Sequence, residues 1–342
     1  MKKVIFIIPY YGKFPNYFQL FLNSCKKNDY YEWLVITDNE EKYNYPNNVK
    51  ILKKSFNEIK ELFQSKFDFK ISLETPYKFC DYRPAYGYIF EDYIKDYEYW
   101  GYCDIDLIFG NIDNFLKNIL GKYEKIFTNG HLSLYKNSFI NNRRFMKEYQ
   151  GELLYKKYFT SNKNYAFDEL WNGSINDIYD KLNIEIYEKK LCADIYPRNV
   201  NFRLVLGYSK DYCEEFLEKK KKSIFSYEDG EVIRYYRRKE KKLRKEYLYL
   251  HLQKRKMKLD FNPMEEINYI IIPNIFLKLT KEINEIKKSD YYQIDINYIK
   301  QFCYGRKEIF FEFLSKILPV KLKMMLKKIK YKLMEMKKRK KR

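Results

Sequence analysis

No CxxC pair and no regular spacing occur among the six cysteines, Cys25, Cys80, Cys103, Cys192, Cys213 and Cys303. This pattern argues against a zinc cluster and against a disulfide framework. Buried free thiols in a reducing compartment fit it better. No segment approaches the ~20 apolar residues that a membrane-spanning helix needs. The apolar run in "MKKVIFIIPYYGKF" is too short for a signal sequence with its cleavage site and reads as a first core strand. The chain has no internal repeat, no Ser/Gly linker, and no RRM, helix-turn-helix or KH signature, which weighs against a nucleic-acid partner. Histidine is scarce, with only His131 and His251.

Lysine and arginine (67) outnumber acids (46), giving a net charge of +21. That excess points to anionic partners, although AT-rich coding would supply part of the Lys, Asn, Ile and Tyr bias on its own. With 46% hydrophobic and 19% aromatic residues the chain has ample material for a packed core.

The first half alternates strand and helix signals. "VIFIIPY" (4–10), "EWLVITD" (32–38), "VKILK" (49–53), "YWGYCDIDLI" (99–108) and "KIFTNG" (125–130) read as strands. Segments 15–27, 55–67, 83–97 and 111–120 read as helices, the second opened by the capping-box spacing Ser55–Glu58. The expectation is an α/β fold: a mostly parallel, mixed sheet flanked by helices, binding its ligand at the carboxyl ends of the strands. Residues 140–245 read as helices mixed with short antiparallel strands, and 261–318 as a helical C-terminal extension.

The chemistry concentrates at "YEYWGYCDIDLIFG". Asp104 and Asp106 interrupt an apolar run with no basic residue beside them. Two residues apart on one strand they would project from the same face, repel each other, and require a cation. Hard carboxylate oxygens suit Mn²⁺ or Mg²⁺, ions that keep coordination positions for water and phosphates. A bare DxD is a weak signal; one Asp could instead cap a helix and the other pair with a distant Lys. "YLYLHLQKRKM" adds His251 on a short apolar strand, followed by Lys254 and Arg255. That combination suits a metal–diphosphate site, with the imidazole as a further metal ligand and the cations on phosphate oxygens. "YAFDELWNG" offers Asp168 and Glu169 as candidate bases, with Trp171 as a sugar-stacking face. "TNGHLSLYKN" would bring Asn129, Gly130 and His131 over a donor sugar.

"IIPYYGKFPNYFQLFLNSC", "WLVITD", "KFCDYRPAYGYIFEDYI", "WGYCDIDLIFGNI", "NGHLSLYKN", "FDE" and "YLHLQKRKM" occur in an order that resembles bacterial glycosyltransferase-like proteins of surface-polysaccharide and lipooligosaccharide assembly. The resemblance covers residues 1–257 and implies a GT-A fold, a Rossmann-like nucleotide-sugar-binding sheet with a DxD motif. By position it implies that Asp104 and Asp106 hold a divalent metal and, through it, the donor diphosphate. It also implies His251 as a further ligand and Lys254 as a neutralising cation. Pro9, Tyr10, Tyr11 and Asp38 would border the nucleobase, and Asp81 and Arg83 the ribose, sugar or phosphates. The implied activity is transfer of a sugar, from a UDP-sugar most readily, to a cell-surface glycan or lipid-linked acceptor. A phosphotransferase with a DxD nucleophile is a competing reading, as is a nucleic-acid-binding protein. However, phosphotransferases of that kind usually carry the motif on the first strand.

The organisation expected is a GT-A-like domain over 1–260, the helical extension, and a tail over 319–342. The tail holds ten Lys, two Arg and one Glu, net +11. Leu322, Met325, Leu326, Ile329, Leu333 and Met336 form a helical stripe within it. A basic amphipathic helix of this kind suits an anionic membrane surface, placing a cytoplasmic protein peripherally on the inner face of the cytoplasmic membrane.

Overall fold

The computed structural model describes residues 4–169, 173–189, 192–195, 202–208, 213–217, 223–238 and 241–280. They fall within one unit of the chain, residues 1–196 and 201–291. The tail at 319–342, residues 281–318 of the extension, and Trp171 lie outside the described residues.

The chain begins with β1 (Val4–Pro9), α1 (Phe18–Lys26), β2 (Tyr31–Thr37), β3 (Val49–Lys53) and α2 (Phe56–Ser65). The Ser55–Glu58 capping box forms as expected: Glu58 N–H donates to Ser55 Oγ, and Ser55 N–H donates back to the Glu58 carboxylate. A single turn, α3 (Phe79–Tyr82), comes next, and where one helix was expected over 83–97 the single turn α4 (Tyr86–Ile89) stands between two 3₁₀ turns. Pro84 lies in the first of these 3₁₀ turns and has no N–H to extend an α-helical ladder.

β4 (Tyr99–Cys103), β5 (Leu107–Phe109), α5 (Asp113–Leu116), β6 (Lys125–Asn129) and β7 (Leu132–Lys136) follow. After α6 (Phe139–Asn142), α7 (Leu154–Phe159) and α8 (Ile175–Lys181) the described residues are mostly β. β8 (Ile186–Tyr187), β9 (Cys192–Ile195), β10 (Phe202–Tyr208) and β11 (Cys213–Leu217) precede β12 (Ser223–Glu228), β13 (Glu231–Arg238) and β14 (Lys241–Tyr247). β15 (Tyr249–His251), β16 (Lys258–Leu259), β17 (Tyr269–Ile272) and β18 (Ile275–Lys278) complete the described part. The last two form an antiparallel pair, so residues 261–280 do not begin a helical extension. Their alternatives, "NYIII" and "NIFLK", are short β-branched and aromatic runs, which favour strand over helix.

Three mixed sheets result. The central one has seven strands in the order β3-β2-β1-β4-β7-β6-β8, and its β3-β2-β1-β4 part is parallel. The order turns back at β1, so the carboxyl ends of β1 and β4 flank a topological switch point, where open α/β sheets bind ligands. β1 is buried on both faces. Val4, Phe6 and Ile8 join one apolar cluster with Trp33 and Val35, whereas Ile5 and Ile7 join another with Leu34, Ile36 and Trp100. Truncating a side chain such as Phe6 to Ala would cost roughly 3–5 kcal/mol, so the switch point stands on a stiff base. A five-stranded sheet runs β11-β10-β9-β15-β5, and a six-stranded one β14-β13-β12-β17-β18-β16.

Candidate metal and donor site

The two acids of "CDID" do not project from one continuous strand. The chain leaves the central sheet at Cys103 and enters the five-stranded sheet at Leu107, so Asp104, Ile105 and Asp106 form the turn between β4 and β5. The expected face-sharing of one strand is therefore replaced by a tight corner. The physical reason is the partner strands: Cys103 pairs with Leu132 of β7, but Leu107 pairs with His251 of β15. Ile105, buried at the apex, pins the corner to the core.

The corner brings the acids to the cations expected from far along the chain. His251 Nε2 lies 3.5 Å from Asp106 Oδ1. The backbone N–H of Lys254 donates to Asp106 Oδ2, and Leu252 N–H donates to the Asp106 carbonyl at 2.8 Å. Asp104 sits more openly, and its carboxylate pairs with Arg83. The two acids and His251 each offer a ligand atom within 4.8 Å of the others, a donor set of two oxygens and one nitrogen that suits a divalent cation. Burial works to raise the Asp106 pKa, but His251 and then Lys254 outweigh it and lower it. Burial works to lower His251, yet Asp106 and Asp194 override it and push the imidazole up to about 10. Without a metal, this ring carries the proton that neutralises the acids.

Asp194, on β9, was not singled out from the sequence. It is fully buried, with Oδ1 3.4 Å from His251 Nδ1 and Oδ2 paired with Arg203. A lone acid inside "CADI" is the same kind of signal as the acids of "CDID" and would have pointed to it. His131 stacks on His251 with ring centroids 4.4 Å apart and shares a 2.8 Å hydrogen bond between its Nε2 and the Tyr249 hydroxyl. It is buried against the His251 ring instead of standing open toward a substrate.

Arg83 ties this corner to a second one. Its Nη1 donates to Asp168 Oδ2 at 2.9 Å and to the Gly130 carbonyl at 2.5 Å, while Nη2 holds Asp104. Gly130 N–H donates to Glu169 Oε2 at 3.2 Å. A β-carbon at Gly130 would meet Glu169 Oε2 at 2.8 Å and Asp168 Oδ2 at 2.9 Å, so any larger residue would displace these carboxylates. Burial, with Glu169 and Asp104 nearby, outweighs Arg83 and raises the Asp168 carboxyl to about 7. Such a group exchanges its proton near neutral pH, as a general base must.

Asp81 is not in this cluster. It is fully buried, pairs with Lys78 at 2.6 Å, and accepts the N–H groups of Tyr165 and Phe167. It braces the segment leading to Asp168 and is not free to face a ribose or phosphate. At the end of β1, Pro9, Tyr10 and Tyr11 are half-buried. Tyr10 stacks on Phe14 at 5.0 Å, and burial followed by the Asp106 and Asp104 charges raises its hydroxyl pKa. Tyr11 packs on Phe56 and Phe79 nearer the exposed Asp38 at the end of β2. Gly12, at φ +110°, turns the chain away here. The Lys254 ammonium, on an exposed residue with φ +54°, lies 5.1 Å from the Tyr77 ring centroid. Among the described residues no helix is long and apolar enough to cross a membrane.

Residues 6–280 match the family of unknown function DUF6625, and the chain belongs to that family. No curated protein matches it.

Proposed function

For this member of a family without an assigned activity, we propose a metal-dependent glycosyltransferase with a GT-A-like core. It would move a sugar from a nucleotide-diphosphate donor, a UDP-sugar in the first instance, to a cell-surface glycan or lipid-linked acceptor. The observation that carries the reading is the convergence of Asp104, Asp106 and His251 beside the switch point of the parallel strands. A phosphotransferase that uses a DxD aspartate as nucleophile is less well supported, because the acid pair follows β4 and not the first strand, where such enzymes usually carry the motif.

Asp104, Asp106 and His251 would hold Mn²⁺ or Mg²⁺, which when bound supplies charge stabilisation to the departing diphosphate. Lys254 is exposed beside this corner and would approach the same phosphate oxygens, adding a fixed cation as negative charge develops. Tyr10 and Tyr11, at the end of β1, would offer ring faces to the base, with Asp38 at the rim. Asp168 would take the proton of the acceptor hydroxyl, with Arg83 and Gly130 fixing its carboxylate. Glu169 shares that corner through Gly130. Docking of residues 319–342 on the inner face of the cytoplasmic membrane would bring a lipid-linked acceptor within reach.

A thermal-shift panel tests this directly. Nucleotide sugars should raise the melting temperature only with Mn²⁺ or Mg²⁺ present, and single-stranded oligonucleotides should not. Stabilisation by oligonucleotides alone would favour a nucleic-acid binder and overturn the reading.

A further inference from the structure

We propose that Asp194 is a positioning residue for His251: it accepts the proton on Nδ1 and thereby presents the Nε2 lone pair to a cation held with Asp104 and Asp106. The inference rests on the metal reading above.

The strand register creates the contact. β15 lies parallel to β9 with His251 paired to Asp194, and antiparallel to β5 with His251 paired to Leu107, the residue after Asp106. The imidazole is therefore set between two buried carboxylates, Asp194 Oδ1 on its Nδ1 side at 3.4 Å and Asp106 Oδ1 on its Nε2 side at 3.5 Å. Arg203 engages the other oxygen, Oδ2, of Asp194. Oδ1 is buried and, apart from the ring edge of His251, has no hydrogen-bond partner among the described residues. A buried carboxylate oxygen without a donor is costly, and the Nδ1 proton is the donor at hand. The tautomer follows from the same charge. A lone pair on Nδ1 would face an anion, whereas a proton there faces an acceptor and leaves Nε2 for the metal. The side-chain amide nitrogen of Gln253 also lies 3.2 Å from Nδ1; a proton on Nδ1 requires this amide to be turned over, so that its oxygen and not its NH2 group faces the ring. His131, stacked at 4.4 Å, restricts rotation of the ring.

The test uses the full-length chain. Removing Asp194 alone would leave Arg203 without its acid, so the comparison is Arg203→Met against Arg203→Met/Asp194→Ala, with melting temperatures checking the fold. Mn²⁺ affinity, read by electron paramagnetic resonance, should fall about 10–100-fold on losing Asp194, the usual effect of removing a partner behind a ligating histidine. In ¹⁵N-histidine-labelled protein loaded with Zn²⁺, His251 should carry its proton on Nδ1 before the change and lose that preference after it. Only two histidines need assigning, and His251→Gln identifies the signal. Equal Mn²⁺ affinity with an unchanged Nδ1 proton would overturn the proposal and reduce Asp194 to a counterion of Arg203. If the wild type takes up no Mn²⁺, the metal reading falls, and the metal-free spectrum still decides the contact. An exchange-protected Nδ1 proton lost with Asp194 supports it, and its absence from the wild type overturns it.

Discussion

The backbone N–H of Lys254 donates to the carboxylate of Asp106, 148 residues earlier in the chain. One hydrogen bond thus joins the corner after β4 to the loop after β15, and His251 closes the same gap from its ring.

Asp106→Asn should abolish stabilisation by Mn²⁺. The amide still accepts the Lys254 N–H, but the anionic ligand is gone. Wild-type chain at Mn²⁺ a hundredfold above its dissociation constant should gain about 2.7 kcal/mol. Asp106→Asn should gain almost none, and Asp104→Asn should lose Mn²⁺-dependent transfer while melting normally in chelator. Undiminished transfer by either variant, or by wild type in excess chelator, would refute the metal site.

In the proposed site, proton and metal would compete for His251. Its pKa in the folded chain is about 10 against an ordinary 6.5. In chelator the bound proton therefore contributes stability that is complete below about pH 6.5 and lost as pH rises through about 10. Mn²⁺ affinity should run the other way, strengthening about tenfold per pH unit below 10, because each ion displaces one proton. Urea titrations at pH 6.5 and 9.5, with His251→Gln as control, check the first; Mn²⁺ titrations across the same range check the second.

Asp168 gives a stability slope of the same sign at lower pH. Its carboxyl is raised from 3.8 to about 7, so the folded chain binds an extra proton between those values and loses stability as pH climbs through them. Asp168→Asn should flatten that limb. It should also lower transfer by about 10²–10⁴-fold, the usual contribution of a general base, with little change in donor binding. A pH profile of transfer that is identical in wild type and Asp168→Asn would remove the residue from the chemistry.

Asp81→Asn should destabilise without touching the donor. It leaves buried Lys78 without its carboxylate and weakens the hold on Tyr165 and Phe167, at a cost of about 3–5 kcal/mol. Chemical denaturation measures this directly, and a loss below about 1 kcal/mol would show that the brace is dispensable.

Deleting residues 319–342 should abolish pelleting with anionic liposomes at low salt and leave donor binding intact. Each Lys or Arg near such a surface contributes roughly 1 kcal/mol, and the attraction should fade as salt screens it. Equal pelleting of the full-length and shortened chains would refute the membrane role.

The parallel part of the central sheet was legible because its strands are buried on both faces: "VIFII" and "WLVI" are continuous apolar runs. Asp104, Asp106 and His251 were legible because charge inside apolar sequence demands a partner. The corner between Cys103 and Leu107 was not, since an apolar run has the same appearance whether its strand continues or changes sheets. Asp81 and Asp194 show the same limit from two sides. Both are buried acids with cationic partners, and sequence separates the fold brace from the site residue only when the partners' positions are known.

The place of β15 in its sheet has a temporal consequence. It lies between β9 and β5, so the last strand of the five to be synthesised fills an interior position. A ribosome that has delivered the central sheet, the DxD corner and even Asp194 has still delivered no complete site, because His251 arrives on the strand that closes the gap. At about 5–20 residues per second, the nascent chain passes through many seconds with Asp104 and Asp106 already made and no imidazole between them and Asp194. The finished cluster is thus a record of completed synthesis: a chain released early, anywhere before His251, would carry both aspartates but lack the imidazole that meets them.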